Sequence, residues 1–168
     1  MHPPIQYAGS ARTRRPADLH VGLVGCGRQG RNLIGAILRL GGGSGVRLRA
    51  LCDLWPQALR EVARELAPVA HCGHTARPYA DWREMLERED LDAVLIATPD
   101  FAHGGPAVAA IEKGCHVYCE APISNRIAEA AGMVRAARRN SRILQVGLQR
   151  RSNPVYNYVR QVLLANYS

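Results

Sequence analysis

Lysine is almost missing from this chain of 168 residues: Lys113 is the only one, and arginine makes up the rest of the 22 basic side chains. The arginines are scattered over every segment, and no compact basic run interleaves with aromatics. The formal charge of +8 therefore predicts a solvated cationic surface rather than a nucleic-acid platform, and no nucleic-acid partner is expected. Long hydrophobic runs are also missing. None approaches the roughly 18 apolar residues of a membrane span, so no membrane partner is expected. Residues 1–18 carry Arg12, Arg14 and Arg15 with no apolar core behind them, which excludes a secretory signal and predicts a disordered lead-in. Cysteine is present as an odd set of five, at positions 26, 52, 72, 115 and 119, mostly in or beside apolar strands. Such a set predicts reduced thiols and a cytoplasmic setting. His71, Cys72 and His74 are crowded, but no second cluster accompanies them. Alternate neighbours on an extended segment point to opposite faces, so no metal site is expected.

Glycine, in contrast, is abundant and ordered where it matters. Val21-Gly22-Leu23-Val24 reads as an apolar strand, and Gly25-Cys26-Gly27-Arg28-Gln29-Gly30 follows it into a helical pattern. The spacing is G-x-G-x-x-G. The first glycine permits the tight turn, the second lets backbone approach a pyrophosphate, and the third lets helix and strand pack closely. Orphan N–H groups at the helix start, with the helix dipole behind them, favour phosphate charge. A second strand ends at Asp53, 23 residues past Gly30, near the spacing of a carboxylate that grips a ribose diol. Such a carboxylate repels a 2′-phosphate, so NAD is favoured over NADP; Arg60 could offset this only by reaching back a turn or more. A strand-end Asp can also simply cap the next helix.

Strands are predicted at 19–24, 46–53, 69–72, 92–98, 116–120 and 142–146. Helices are predicted at about 28–40, from Pro56 to Pro68, and at 82–89, 103–113 and 124–139. The run from Asp92 to Thr98 is continuously apolar after its first residue, as in a central strand covered on both faces. Regular alternation of strand and helix predicts an α/β fold: one domain, 19–150, with a doubly wound parallel sheet in the order 3-2-1-4-5-6, the Rossmann dinucleotide-binding fold. Its ligand should lie across the carboxyl ends of the strands, where Thr98, Glu120 and Gly147 are placed. Residues 151–168 form a further helix beginning near Pro154, with Val155, Tyr158, Val159, Val162 and Leu163 along one face. That stripe predicts self-association or a partner surface. Taken on the residues alone, Thr98-Pro99 is an ordinary strand-ending turn and His103 a helix cap.

Three passages together resemble one family, the Gfo/Idh/MocA oxidoreductases. They are Gly22 to Gly30; Ala97-Thr98-Pro99-Asp100-Phe101-Ala102-His103 leading to Cys119-Glu120-Ala121-Pro122; and Gln145-Val146-Gly147-Leu148-Gln149-Arg150 running on to Pro154. The resemblance implies NAD(P)-dependent hydride transfer on a sugar or cyclitol substrate. It assigns Gly25, Gly27, Arg28, Gln29 and Gly30 to the pyrophosphate turn and Asp53 to the adenosine ribose. Thr98, Pro99 and His103 fall beside the nicotinamide ribose, with Glu120 an acid contacting the same region. There are two departures from the family pattern. The family has Glu-Lys-Pro, its lysine orienting substrate and assisting proton transfer, where this chain has Glu120-Ala121-Pro122. A methyl group can do neither. The family also carries a C-terminal α/β domain over the nicotinamide, into which the helix of 151–168 would lead. The expectation is the cofactor half of an oxidoreductase, incomplete as a catalyst on its own, as a homo-oligomer or beside a partner chain that supplies a substrate domain. The alternative is a non-catalytic dinucleotide-binding sensor or interaction module.

Overall fold

Alternation along β1 (Leu19–Val24) sets the layering of the computed structural model, which describes residues 18–68, 75–148 and 153–166. Val21 and Leu23 enter one apolar cluster with Ile34, Ile37, Leu48, Leu51, Leu59 and Val62. Val24 enters the other with Ile96, Ile111, Val117 and Met133. At Gly22 a Cβ would stand 2.7 Å from Leu91 Cδ1 and 3.3 Å from Met85 Cε, so the second layer presses directly on the strand. A strand covered on both faces must be apolar on both, which accounts for the unbroken runs in β1 and β4 (Ala93–Ile96).

The remaining strands are β2 (Val46–Cys52), β3 (Arg77–Tyr79), β5 (His116–Glu120) and β6 (Leu144–Gly147). The sheet order is β3-β2-β1-β4-β5-β6 with every pairing parallel, the doubly wound arrangement expected. The third strand differs from expectation. Segment 69–72 lies outside the described residues, and the strand that pairs with β2 is Arg77–Tyr79, with Ala50 opposite Arg77 and Cys52 opposite Tyr79. Pro78 masked it in the sequence, because proline is tolerated in a sheet only on an edge. Tyr79 is buried and its hydroxyl donates to Glu89 Oε1 at 2.5 Å, pinning that edge.

Five helices cover the sheet faces: α1 (Arg28–Leu40), α2 (Pro56–Leu66), α3 (Trp82–Arg88), α4 (Gly104–Glu112) and α5 (Ile127–Arg139). In α1 the buried positions Gly30, Ile34 and Ile37 recur at helical spacing, and Gly41 ends the helix with φ +73°. Asp81 caps α3 by accepting from the Arg83 N–H. Helix α5 starts three residues after the expected Ser124. The Ser124 hydroxyl accepts from the Arg126 N–H at 3.0 Å and donates to Glu129, holding the chain extended before the first helical turn. A sixth helix, α6 (Pro154–Asn166), carries the expected stripe with Val155, Tyr158, Val159, Val162 and Leu163 all exposed.

Cys26, Cys52, Cys115 and Cys119 are buried thiols outside any disulfide, while His71, Cys72 and His74 lie outside the described residues. Burial, reinforced by neighbouring Asp53 or Glu120, pushes Cys26, Cys52 and Cys119 up to about 12, so they stay protonated near neutrality. Among the described residues no helix is long and apolar enough to cross a membrane.

The far edge of the sheet contains a pH-sensitive joint. His116 Nδ1 accepts from the Ile143 N–H at 3.0 Å. Burial holds the His116 ring below its ordinary value near 6.5, Arg142 pushes the same way, and Asp92 partly opposes them. Between the lowered folded value and the ordinary unfolded one, the unfolded chain binds the proton and the folded chain does not. Stability is therefore lost as pH falls below about 6.5. Thermal melts across pH 5 to 8 should show this loss. His116→Gln, which retains an acceptor for Ile143, should flatten it, and an unchanged slope in the variant would contradict the assignment.

Candidate dinucleotide site

At the carboxyl rim of the sheet, β1 ends in a turn with no room for side chains. Gly25 has φ +96°, and a Cβ there would lie 2.6 Å from the Ala97 carbonyl at the end of β4. A Cβ on Gly30 would collide with the Gly25 carbonyl oxygen. These two glycines are required by the protein's own packing. Gly27 is different: a Cβ there would meet nothing within 4 Å. Its space opens outward, at the start of a helix with no side-chain cap and no acidic residue in its first turn. The first-turn amides of a helix have no partner within the helix, and among the described residues no side chain caps these. Arg28, exposed, stands at the first helical position beside them.

Asp53 ties the turn to the second strand. Its Oδ2 accepts from the Cys26 N–H at 2.7 Å and its Oδ1 from the Trp55 N–H at 2.8 Å. The strand-end Asp thus caps the following turn and holds the glycine loop at once. A carboxylate offers about four lone-pair sites, so two remain.

Two clefts flank this rim, each of about 570 Å³, and they meet at Ala97 and Thr98. The first lies between Gly25, Gly27 and Asp53 on one side and Leu54, Trp55, Trp82, Arg83 and Phe101 on the other. Its wall is strongly apolar and aromatic, with Leu54, Trp55 and Phe101 largely exposed and the Arg83 guanidinium stacked 4.1 Å from the Trp82 ring centroid. The second cleft is lined by Gln29, Thr98, Asp100, His103, Glu120, Ala121 and Gly147 among others. Between them the Thr98 hydroxyl is buried and has no hydrogen-bond partner among the described residues. An unmet buried hydroxyl costs about 1–3 kcal/mol, a loss that a polar ligand crossing from one cleft to the other would recover.

The sequence-selected residues separate here into distinct groups. Gly25, Gly27, Asp53 and Pro99 line the first cleft together, and Gly30 packs against the Gly25 carbonyl. Gln29, assigned to the pyrophosphate turn, instead directs its side-chain Nε2 to Glu120 Oε1 at 2.9 Å. His103 stands at the N-cap position of α4 but makes no side-chain cap. Its ring is 1% exposed, with Nε2 2.8 Å from the Thr98 carbonyl oxygen and Nδ1 3.0 Å from that of Pro122. It clamps the Thr98 turn to the Ala121–Pro122 segment, whose peptide bond is cis, and forms the wall of the second cleft. Ala121 lies in that wall, and Lys113 at the C-cap of α4 does not line either cleft. Trp55, Trp82 and Phe101 were not singled out as site residues in the sequence. Trp55 lies two positions past the rim acid, but α3 and the turn at Asp100–Ala102 reach the same cleft only through folding.

A glycine turn shaped for an anion, an acid at the next strand end and a cleft on either side of the switch point define a dinucleotide-binding α/β domain. The chain belongs to the Gfo/Idh/MocA oxidoreductase family, whose profile, "Oxidoreductase family, NAD-binding Rossmann fold", matches residues 19–148. An inositol 2-dehydrogenase of Saccharopolyspora erythraea is 36% identical over 154 residues, covering 88% of this chain and 41% of the relative. An inositol 2-dehydrogenase/D-chiro-inositol 3-dehydrogenase of Shouchella clausii is 32% identical, covering 86% and 40%. The WlbA dehydrogenase of Bordetella pertussis, solved with NADH and UDP-GlcNAcA, superposes with a TM-score of 0.75 at 31% identity, covering 89% and 40%. The scyllo-inositol dehydrogenase of Lactobacillus casei, solved with NAD(H) and scyllo-inositol, gives 0.75 at 25% identity, covering 87% and 41%. The chain spans about two fifths of the length of these relatives.

The glycines make a sharp test. Gly30→Ala should cost about 1–3 kcal/mol of stability by overpacking against the Gly25 carbonyl. Gly27→Ala should melt like the parent chain yet bind NADH at least about tenfold more weakly, because its methyl group fills only ligand space. Equal thermal loss in both variants, read by calorimetry, would show that Gly27 serves the fold alone.

Proposed function

We propose that this chain is the NAD-binding half of an oxidoreductase that moves a hydride to or from a sugar or cyclitol, and that it is incomplete as a catalyst by itself. The observation that carries the reading is the space at Gly27, which the protein's own packing leaves open, in a cleft that meets a second one at Thr98, whose buried hydroxyl has no partner among the described residues.

In this reading the cleft beside Asp53 takes the adenosine half. Asp53 offers its remaining lone pairs to the ribose diol, while Trp55 and the Trp82–Arg83 stack supply flat apolar surface for a base. The amides at the start of α1, with Arg28, take the pyrophosphate. Thr98 and Glu120 hold the second ribose and its ring at the other cleft, with Pro99 and the His103 clamp fixing the turn that carries Thr98. The nicotinamide supplies the hydride chemistry when bound. Transfer also requires substrate held at contact distance with water excluded, which one open sheet rim does not provide, so a partner chain that supplies a substrate domain would complete the site. No side chain at position 121 can handle the substrate proton. A second reading, a non-catalytic dinucleotide sensor, is favoured by that same alanine: loss of the proton-handling group abolishes chemistry while sparing binding.

Trp55 and Trp82 are the two tryptophans of the chain, and both line the proposed adenosine cleft. Titration with NADH should therefore quench tryptophan fluorescence saturably, and ADP should compete. NADPH should bind at least about tenfold more weakly, since the Asp53 carboxylate repels the 2′-phosphate. No saturable quenching overturns the binding assignment, and equal NADH and NADPH affinity overturns the cofactor preference. The isolated chain should not oxidise inositols or sugars, nor should Ala121→Lys; measurable turnover by either would contradict the incomplete-catalyst reading.

A further inference from the structure

Glu120 is the carboxylate that the proposed function places at the nicotinamide-side ribose, and its surroundings are more specific than that role alone requires. Two donors converge on one of its oxygens: Gln29 Nε2 at 2.9 Å and the Tyr118 hydroxyl at 3.0 Å both reach Oε1. Oε2 has no hydrogen bond among the described residues. Tyr118 precedes Glu120 by two positions in β5, so both side chains stand on the same face of the strand. Gln29 comes from the first turn of α1, 91 residues away in sequence.

Each donor is itself held. Asn32 Nδ2 donates to Gln29 Oε1 at 3.1 Å, which leaves the Gln29 amino group to face Glu120. Reversing that amide would set two oxygens against each other at one end and two amino groups at the other. Tyr118 depends on an absence. Gly147 in β6 pairs directly with Glu120 across the ladder, and a Cβ at Gly147 would occupy the place of the Tyr118 hydroxyl. Burial and the Glu120 carboxylate push Tyr118 up to about 12, so its hydroxyl keeps its proton and remains a donor across the physiological range.

We propose that Tyr118 and Gln29 are positioning residues for Glu120. They hold one carboxylate oxygen so that the other is presented to the nicotinamide-side half of the dinucleotide, and Gly147 and Asn32 keep the two donors in place. The proposal rests on the dinucleotide reading of the clefts. It goes beyond that reading in giving Gln29 a role in the second cleft rather than at the pyrophosphate, and in adding Tyr118, Asn32 and Gly147 to the site.

Calorimetric titration of the full chain with NADH and, separately, with ADP tests it, because ADP engages only the adenosine side. Tyr118→Phe, which keeps the half-buried ring, should weaken NADH about five- to tenfold through loss of one hydrogen bond to a charged group, leaving ADP within about twofold. Gln29→Leu should act the same way through the other donor. In a Glu120→Gln background, Tyr118→Phe should have little further effect on NADH, since coupled residues are not additive. The positioning role is overturned if Tyr118→Phe and Gln29→Leu leave NADH affinity unchanged. It is also overturned if they weaken ADP and NADH alike, or if their effect persists in full without the Glu120 carboxylate. A parent chain that binds neither NADH nor ADP overturns the dinucleotide reading and this role together. A parent chain that binds both, with matching variants, overturns the positioning role alone.

Discussion

The structure depends on a close approach of three backbones at one point. The carbonyl of Gly25, the start of α1 at Gly30 and the end of β4 at Ala97 lie so near one another that a side chain on either glycine would collide. The central strand can therefore hand directly into a helix whose N-terminus points over the rim of the sheet. Around this point the ends of the neighbouring strands are gathered by hydrogen bonds: the Gly25 N–H to the Cys52 carbonyl, the Ala97 N–H to the Val24 carbonyl, and the Cys26 N–H to the Asp53 carboxylate. Among the described residues that helix start has no side-chain cap, and its amides are the groups to which the proposed function gives the phosphates.

Two kinds of glycine meet in the same motif, and distinguishing them separates folding from function. Gly25 and Gly30 serve packing; Gly27 adjoins open space. The acid at the rim combines both roles. Asp53 spends two lone pairs on backbone amides and so arrives at the cleft already oriented, with its conformational freedom removed before any ligand binds. Glu120 is treated alike by Tyr118 and Gln29 at the opposite cleft. The rim thus carries two carboxylates, each held on one side and open on the other.

Position 121 gives the site its chemical character. Alanine beside Glu120 leaves the second cleft, to which the proposed function gives a ribose and a planar ring, without the amine of the family's Glu-Lys-Pro pattern. The His103 ring does not take over that role, since both of its nitrogens already face backbone carbonyls. The proposed function accordingly gives this chain the binding of the dinucleotide and leaves proton transfer to a group that Ala121 does not supply.

Local pattern alone determined much of this protein. The apolar strand before the glycine turn, the unbroken apolar run of β4, the regular alternation of strand and helix, the glycine spacing and the acid 23 residues on led to the strand order and to the rim turn. These features are encoded by neighbours in the chain, through sterics and through which faces must be buried. The edge strand at Arg77–Tyr79 was hidden by Pro78, and the start of α5 by the hydroxyl of Ser124, because each depends on a partner rather than on a pattern. Only the tertiary structure decided that Gln29 reaches Glu120, that His103 is a buried clamp rather than a cap, and that Tyr118 needs Gly147 beside it. Hydrogen bonds between side chains separated by tens of residues leave no periodic trace in the sequence, and they exist only once the sheet has set those residues side by side.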